Sequence, residues 1–301
     1  AWASFWGAAQ IFSQDPDYAK KHYDDGSTPA QMLQGFNQYF KRFAHHRAGG
    51  GLLVECGSPT YGKYSLNTWY NFADFAQDPE LKRRFQSLLD LYWADWAVEQ
   101  IDGVRGGSRH RCYPDRASAS GSDGTGRAWF HFGLGTLGSV HPGYICAATT
   151  FYRPAPVVVD LALDTRGRGE YEYVSRRPGL LPGVLSEGED TQIPEGLNQP
   201  GWHYYVLDPN GGGIARYTWC TPDFVLGTSM VPALRREDWS AISSQNRWEG
   251  VIFAGHPTAR IFVQSPPPKK GSLYNANWSV QHRGVLIVQR LKGSNARGQR
   301  V

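Results

Sequence analysis

A chain of 301 residues with 41% hydrophobic content can bury a sizeable core in one large or two smaller units, which excludes a disordered or collagen-like polymer. Its formal net charge of +4, from 31 basic and 27 acidic residues with no long basic run, leaves no footprint for nucleic acid. No uninterrupted apolar stretch reaches the ~18 residues that a membrane-spanning helix needs.

In chain order, Thr28-Pro29-Ala30-Gln31 offers a capping Thr, Pro at the first helical position and Gln at the third, and predicts a helix that opens with a capping box. Met32, Leu33, Phe36, Phe40 and Phe43 recur at helical spacing, so this helix is expected to run to about His46. Gly49, Gly50 and Gly51 then allow φ > 0 and a bent loop. Ser65 is the expected cap of the next helix, with Leu66, Trp69, Tyr70 and Ala73 on one face. Asp78-Pro79-Glu80 restarts the pattern, and Leu81, Phe85, Leu88, Leu89, Tyr92, Trp93 and Trp96 form a broad apolar stripe. Gly103 to Gly126 reads as a loop, and Ala128 to Thr150 as Gly-interrupted helix.

Past about residue 165 the grammar changes to short β-branched and aromatic runs between Gly, Pro and Asn clusters: Glu170 to Val174, Trp202 to Leu207, Ile214 to Trp219, Trp248 to Ala254, Arg260 to Gln264 and Trp278 to Gln289. Val285 to Val288 is apolar on both faces, the pattern of a strand between two layers. Helices first and strands second predict an α domain over residues 1–165 and an antiparallel β-sandwich domain over 166–301, with a cleft between them.

Chemistry concentrates in Gly49 to Asn71, where Glu55, Tyr61, Tyr64, Asn67 and Asn71 fall on a glycine-rich loop and the helix it feeds. A second concentration is basic: Arg105, Arg109, His110, Arg111 and Arg116, a solvated loop able to steer an anion. His203, Tyr217, Trp219, Trp248 and His282 are candidates for the opposite wall of the cleft. With 11 Trp, 16 Tyr and 14 Phe, many among Gly, Asn, Arg and Asp, the chain is suited to stacking on sugar rings as well as to filling a core. Cys56, Cys112, Cys146 and Cys220 are spaced too widely for a zinc motif and read as small buried thiols, a disulfide between two of them staying open. His45 and His46 are adjacent on a helix and point too far apart to chelate one ion, so no metal and no cofactor is expected.

Glu55, Gly57, Ser58-Pro59-Thr60-Tyr61 and Tyr64 resemble the E-G-x-x-Y-x-x-Y segment of the heparinase II/III and alginate lyase type of polysaccharide lyases. The resemblance implies an incomplete (α/α) toroid followed by an antiparallel β-sandwich, and β-elimination on a uronate-containing polysaccharide. It implies Tyr61 as general acid and base, Tyr64 as second choice, and a secreted or periplasmic location. The Asn-His pair with which that family neutralises the uronate carboxylate has no counterpart at His45-His46, where no Asn stands beside the histidines. Because a full toroid needs roughly 300 residues at ~25 per helix and turn, the chain is expected to be N-terminally truncated. Its start at Ala1, without Met, agrees with that.

Elimination next to a carboxylate needs a group that quenches the carboxylate, a base for the α-proton and an acid for the leaving oxygen. Tyrosine can serve the last two if nearby cations lower its pKa of ~10, and Arg105, Arg109 and Arg111 are the available ones. Asn67, Asn71 and His110 are candidate carboxylate partners, with His203 and Trp248 lining the site. Two alternatives stay open: a glycoside hydrolase on the same scaffold using Glu55 with a second carboxylate from Asp24, Asp25, Asp102 or Asp115, and a carbohydrate-binding protein without catalysis.

Overall fold

The computed structural model describes residues 2–49, 51–53, 56–58, 62–110, 112, 124, 126–137, 142–177, 214–230, 248–256, 258–263 and 277–290. Glu55, Tyr61, Arg111, Asp115, Arg116, His203 and the run Trp202 to Leu207 lie outside the described residues.

Four helices open the chain: α1 (Trp2–Phe12), α2 (Pro29–Gly49), α3 (Gly62–Phe75) and α4 (Pro79–Ala97). The capping box forms as expected, Thr28 N donating to Gln31 Oε1 (2.9 Å) and Gln31 N to Thr28 Oγ1 (3.3 Å). At α4, Asp78 accepts from Glu80 N and Leu81 N (3.0 and 2.9 Å) ahead of Pro79, and Lys41 of α2 reaches the same carboxylate at 2.7 Å. The whole predicted stripe of α4 is buried. α3 begins at Gly62, three residues before the expected cap: Ser65 lies inside its first turn, and Gly62 N reaches Ser58 O at 3.4 Å. Phe72 of α3 is the hub of this half, with the rings of Trp6, Phe40 and Phe85 each 4.4 Å from its own, so that α1, α2 and α4 converge on one side chain. Shorter helices follow: α5 (Arg127–Phe132), a 3-10 turn (Pro142–Tyr144) leading into α6 (Ile145–Thr149), and α7 (Pro156–Leu163).

Antiparallel strands make up the later part. β3 (Tyr171–Arg177), β4 (Ile214–Cys220), β5 (Phe224–Met230), β6 (Glu249–Phe253) and β7 (Arg260–Val263) form one sheet in chain order, and β8 (Asn277–His282) pairs with β9 (Val285–Arg290) as a hairpin. The predicted single run Trp278 to Gln289 is thus two strands, turned at Arg283 (φ 47°) and Gly284. Val285 and Ile287 are 64% and 55% exposed, so β9 does not lie between two layers as its apolar pattern suggested. That place belongs to β5, which is buried from Val225 to Ser229. Its Thr228 Oγ1 donates to Ser279 Oγ of β8 at 2.8 Å, and Gln281 Nε2 of β8 donates to Leu226 O at 2.9 Å. Val225, Gly227 and Ser229, on the opposite face by alternation, meet a segment from the first half of the chain.

That segment departs from the expected solvated loop. Residues Gln100–Ile101 (β1) and Val104–Arg105 (β2) form a tight hairpin turned at Asp102 and Gly103, whose φ values are 49° and 79°. The chain then runs along β5, and a side chain at Gly106 would overlap Val225 while one at Gly227 would overlap the backbone of Gly107. These glycines serve close backbone approach and not flexibility. An antiparallel bridge closes the seam, Arg109 N to Trp248 O at 3.1 Å and Trp248 N to Arg109 O at 2.8 Å. Ile101, Val104, Cys112, Cys220, Val225, Trp248 and Ile252 share one small core across it, separate from the helical core around Phe72. Among the described residues no helix is long and apolar enough to cross a membrane.

Candidate functional site

The glycine-rich loop and the basic segment, 50 residues apart in sequence, meet at this seam. Cys56 O accepts from His110 N at 2.8 Å. Gly57, at φ 62°, lies so close to Arg109 that a Cβ there would stand 2.8 Å from Arg109 Cγ. Ser58, Arg109, His110 and Trp248 are all fully buried. The Arg109 guanidinium stacks 3.8 Å from the centroid of the Trp248 ring, and His110 Nε2 lies 2.7 Å from Ser229 Oγ, which also meets Ser108 Oγ. The described flanks of the loop that carries Glu55 and Tyr61 are therefore anchored on Arg109 and His110 and, through the bridge, on the sheet.

Arg105 does not sit on a solvated loop, as its sequence context had predicted. It is 2% exposed, its Nε donates to Glu99 Oε2 at 2.9 Å, and its Nη2 pairs with both Glu99 and Asp95. Arg216 of β4 reaches Glu99 Oε2 at 2.5 Å, and Thr218 Oγ1 donates to Glu99 Oε1 at 2.7 Å. Burial pushes the Asp95 carboxyl upward, but the guanidinium groups of Arg105 and Arg216 and the Tyr173 hydroxyl outweigh it and hold the group below its ordinary range. This network ties the end of α4 to β3 and β4, and its arginines are spoken for by carboxylates. Alternation on β4 separates the other predicted wall residues from it. Arg216 and Thr218 face Glu99, whereas Tyr217 accepts from Arg283 N (2.9 Å) and Trp219 lies 5.8 Å from the Arg283 guanidinium, both on the side of the β8–β9 hairpin.

Three predicted residues ride on α3. Tyr64 is 62% exposed with Lys63 Nζ 5.2 Å from its ring. Asn67 is half-buried and Asn71 exposed, its Oδ1 3.7 Å from Cys146 Sγ. The same helix brings in a group that sequence reasoning did not single out. Tyr70 is fully buried, its hydroxyl accepts from Trp93 Nε1 at 3.0 Å, and it therefore donates its one proton to His131 Nε2 at 2.6 Å. Burial raises the Tyr70 pKa beyond its ordinary range, while burial and the charges of Arg153 and Arg127 push His131 down to about 4. The two values move apart, so the proton stays on tyrosine and the imidazole stays neutral: the pair is a fixed donor–acceptor contact, not an ionised dyad. A sequence signal did exist in Lys63, Asn67, Tyr70, Asn71 and Asp74, which fall on one helical face, but nothing in it pointed to the distant Arg127 and His131.

Of the carboxylates considered as partners for Glu55, two have described side-chain contacts. Asp25 accepts from Ser27 within its own turn, and Asp102 accepts from Gly255 N (2.6 Å) at the β6–β7 turn. No disulfide joins the four cysteines, and Cys56, Cys112 and Cys220 are buried. Among the described residues no group of three or more His, Cys, Asp or Glu is placed to hold a metal ion. Comparison of the chain with family models, curated proteins and solved structures finds no match in any of the three.

Proposed function

We propose that the chain is a polysaccharide lyase that cleaves a uronate-containing polymer by β-elimination, with Tyr61 transferring the proton. In this reading its helices belong to an (α/α) toroid and its antiparallel strands to a β-sandwich. The observation that carries the reading is the hydrogen bond from His110 N to Cys56 O, with the packing of Arg109 on Gly57. Together they hold the motif-bearing loop against a cationic side chain at the seam of the two halves. The seam supports the place expected for the cleft, and the buried Arg109 is the candidate for the positive charge that a proton-abstracting tyrosinate needs. Arg105 is withdrawn from that role by its carboxylates, so steering by Arg105 is no part of the proposal.

In the reaction, the Tyr61 oxygen takes the C5 proton of the uronate, the electron pair forms the C4–C5 double bond, and the C4–O bond breaks. The leaving oxygen receives its proton from the same or a neighbouring tyrosine, with Tyr64 as the second choice, and the polymer is split with no water consumed. The experiment is incubation of the chain with uronate-containing and neutral polysaccharides, following both ultraviolet absorbance of the conjugated double bond and new reducing ends. Elimination gives both signals on uronates alone. Reducing ends without the chromophore would replace this reading with hydrolysis, and binding without either product would replace it with a binding module.

A further inference from the structure

Arg127, the first residue of α5, is a buried cation that forms no ion pair among the described residues. It is 4% exposed, and of its five donors only Nη2 finds a clear acceptor, Gly143 O at 2.5 Å, while Nε meets none. The Asn67 side-chain amide stands 3.5 Å from Nη2. Its neighbours decide which way it faces: its NH2 donates to Gly143 O (2.9 Å) and Lys63 O (3.3 Å), so it shows the guanidinium a donor and not an acceptor. Asp74, two turns further along α3, is engaged by Thr150 Oγ1 and Phe151 N at 2.9 and 3.1 Å. No described carboxylate forms an ion pair with Arg127. The contrast with Arg105 and Arg216 is direct, since those equally buried arginines share Glu99 and Asp95. Taking a guanidinium out of water without a counter-charge is costly, and an arriving anion would offset that cost.

We propose that Arg127 is an anion-binding residue and that its anion is the carboxylate of a uronate sugar. A planar carboxylate is the chemical complement of the edge formed by Nε and its neighbouring nitrogen, which it can meet through two parallel hydrogen bonds. A single buried cation matches one negative charge better than a phosphate dianion. The half-buried Tyr144 ring lies 5.4 Å from the guanidinium and fixes the side on which Arg127 packs. Gly126 sets that ring in place: a Cβ there would stand 2.6 Å from it. Asn67 sits about 7.5 Å along the axis from the start of α3 at Gly62, the residue that follows Tyr61 in the chain. The identity of the anion rests on the lyase reading, whereas the presence of an anion site does not.

The test compares oligouronates with their carboxyl-reduced counterparts by titration calorimetry on the whole chain. Wild type should bind the acid form at least about tenfold more tightly. Arg127→Lys keeps a charge but loses the fork, and Arg127→Gln loses both; each should reduce that preference about tenfold or more while binding of the reduced sugar is unchanged. Near-ultraviolet dichroism and Tm identify a variant that has lost its fold, and the lysine variant is the one expected to keep it. A preference unchanged by either substitution, even with a lowered Tm, would show an internal strut and overturn the proposal, as would wild type binding both forms equally or neither. Elimination that proceeds with the preference unaltered in Arg127→Lys leaves the lyase reading standing and this site refuted; an Arg127-dependent preference without any elimination does the reverse.

Discussion

Lowering the pH from 7 to 4 should destabilise the fold by about 3 kcal/mol through His131 alone. Its ring is enclosed by Tyr70, Trp93 and Tyr152 and accepts the Tyr70 proton. Burial first, then the charges of Arg153 and Arg127, lower its pKa from 6.5 to about 4. The unfolded chain takes up a proton near 6.5 and the folded chain does not, so the stabilisation is complete above that value, is lost progressively as pH falls through about 4, and levels off below that. The gap between 6.5 and about 4, at ~1.4 kcal/mol per pH unit, gives the figure of about 3 kcal/mol. Urea unfolding of wild type and His131→Gln at a series of pH values isolates the effect, because titrations common to both cancel in the difference. The variant has lower stability at pH 7 for want of the Tyr70 contact, but its curve should be flatter than that of wild type by the stated amount. Parallel curves for the two proteins between pH 7 and 4 would refute the assignment of a half-buried neutral imidazole.

Glu99→Gln should cost ~3–5 kcal/mol, read as a fall in Tm with wild-type-like dichroism, because it strips Arg105 and Arg216 of their shared carboxylate and leaves Asp95 to neutralise both. A loss under ~1 kcal/mol would mean that the network is hydrated. Gly227→Ala places a methyl against the Gly107 backbone and should cost ~1–3 kcal/mol or loosen the seam, visible as faster amide exchange at Arg109 and Trp248; exchange and Tm like wild type would contradict the close approach. Phe72→Ala removes the ring shared by α1, α2 and α4 and should cost ~3–5 kcal/mol in urea unfolding, against under ~1 for the exposed Phe75→Ala.

The helices were legible because their signals are local. A capping box at Thr28, an Asp-Pro start at Asp78 and a stripe from Leu81 to Trp96 each lie within a few turns of chain. β5 was not legible, since Gly227 in its middle argues against a strand until the backbone of Gly107 is seen to lie against it. For the same reason Gly103, Gly106 and Gly107 read as loop, when they let the β1–β2 hairpin turn and the residues after it lie against β5. The site divides in the same way. Arg105 and Arg109 were noticed as charges, but Glu99 and Asp95 on one, and Trp248 on the other, are long-range partners that no spacing announces. Arg127 has the opposite character, a buried charge with no ion pair among the described residues, and its burial is not legible in the sequence.

The most direct measurement of the central claim is the rate of double-bond formation by wild type and Tyr61→Phe on the uronate polymer that wild type cleaves best. The substitution keeps the ring and removes the group that moves the proton, so the rate should fall by ~10² or more while Tm is unchanged. An undiminished rate in the variant would take away the residue on which the elimination mechanism stands.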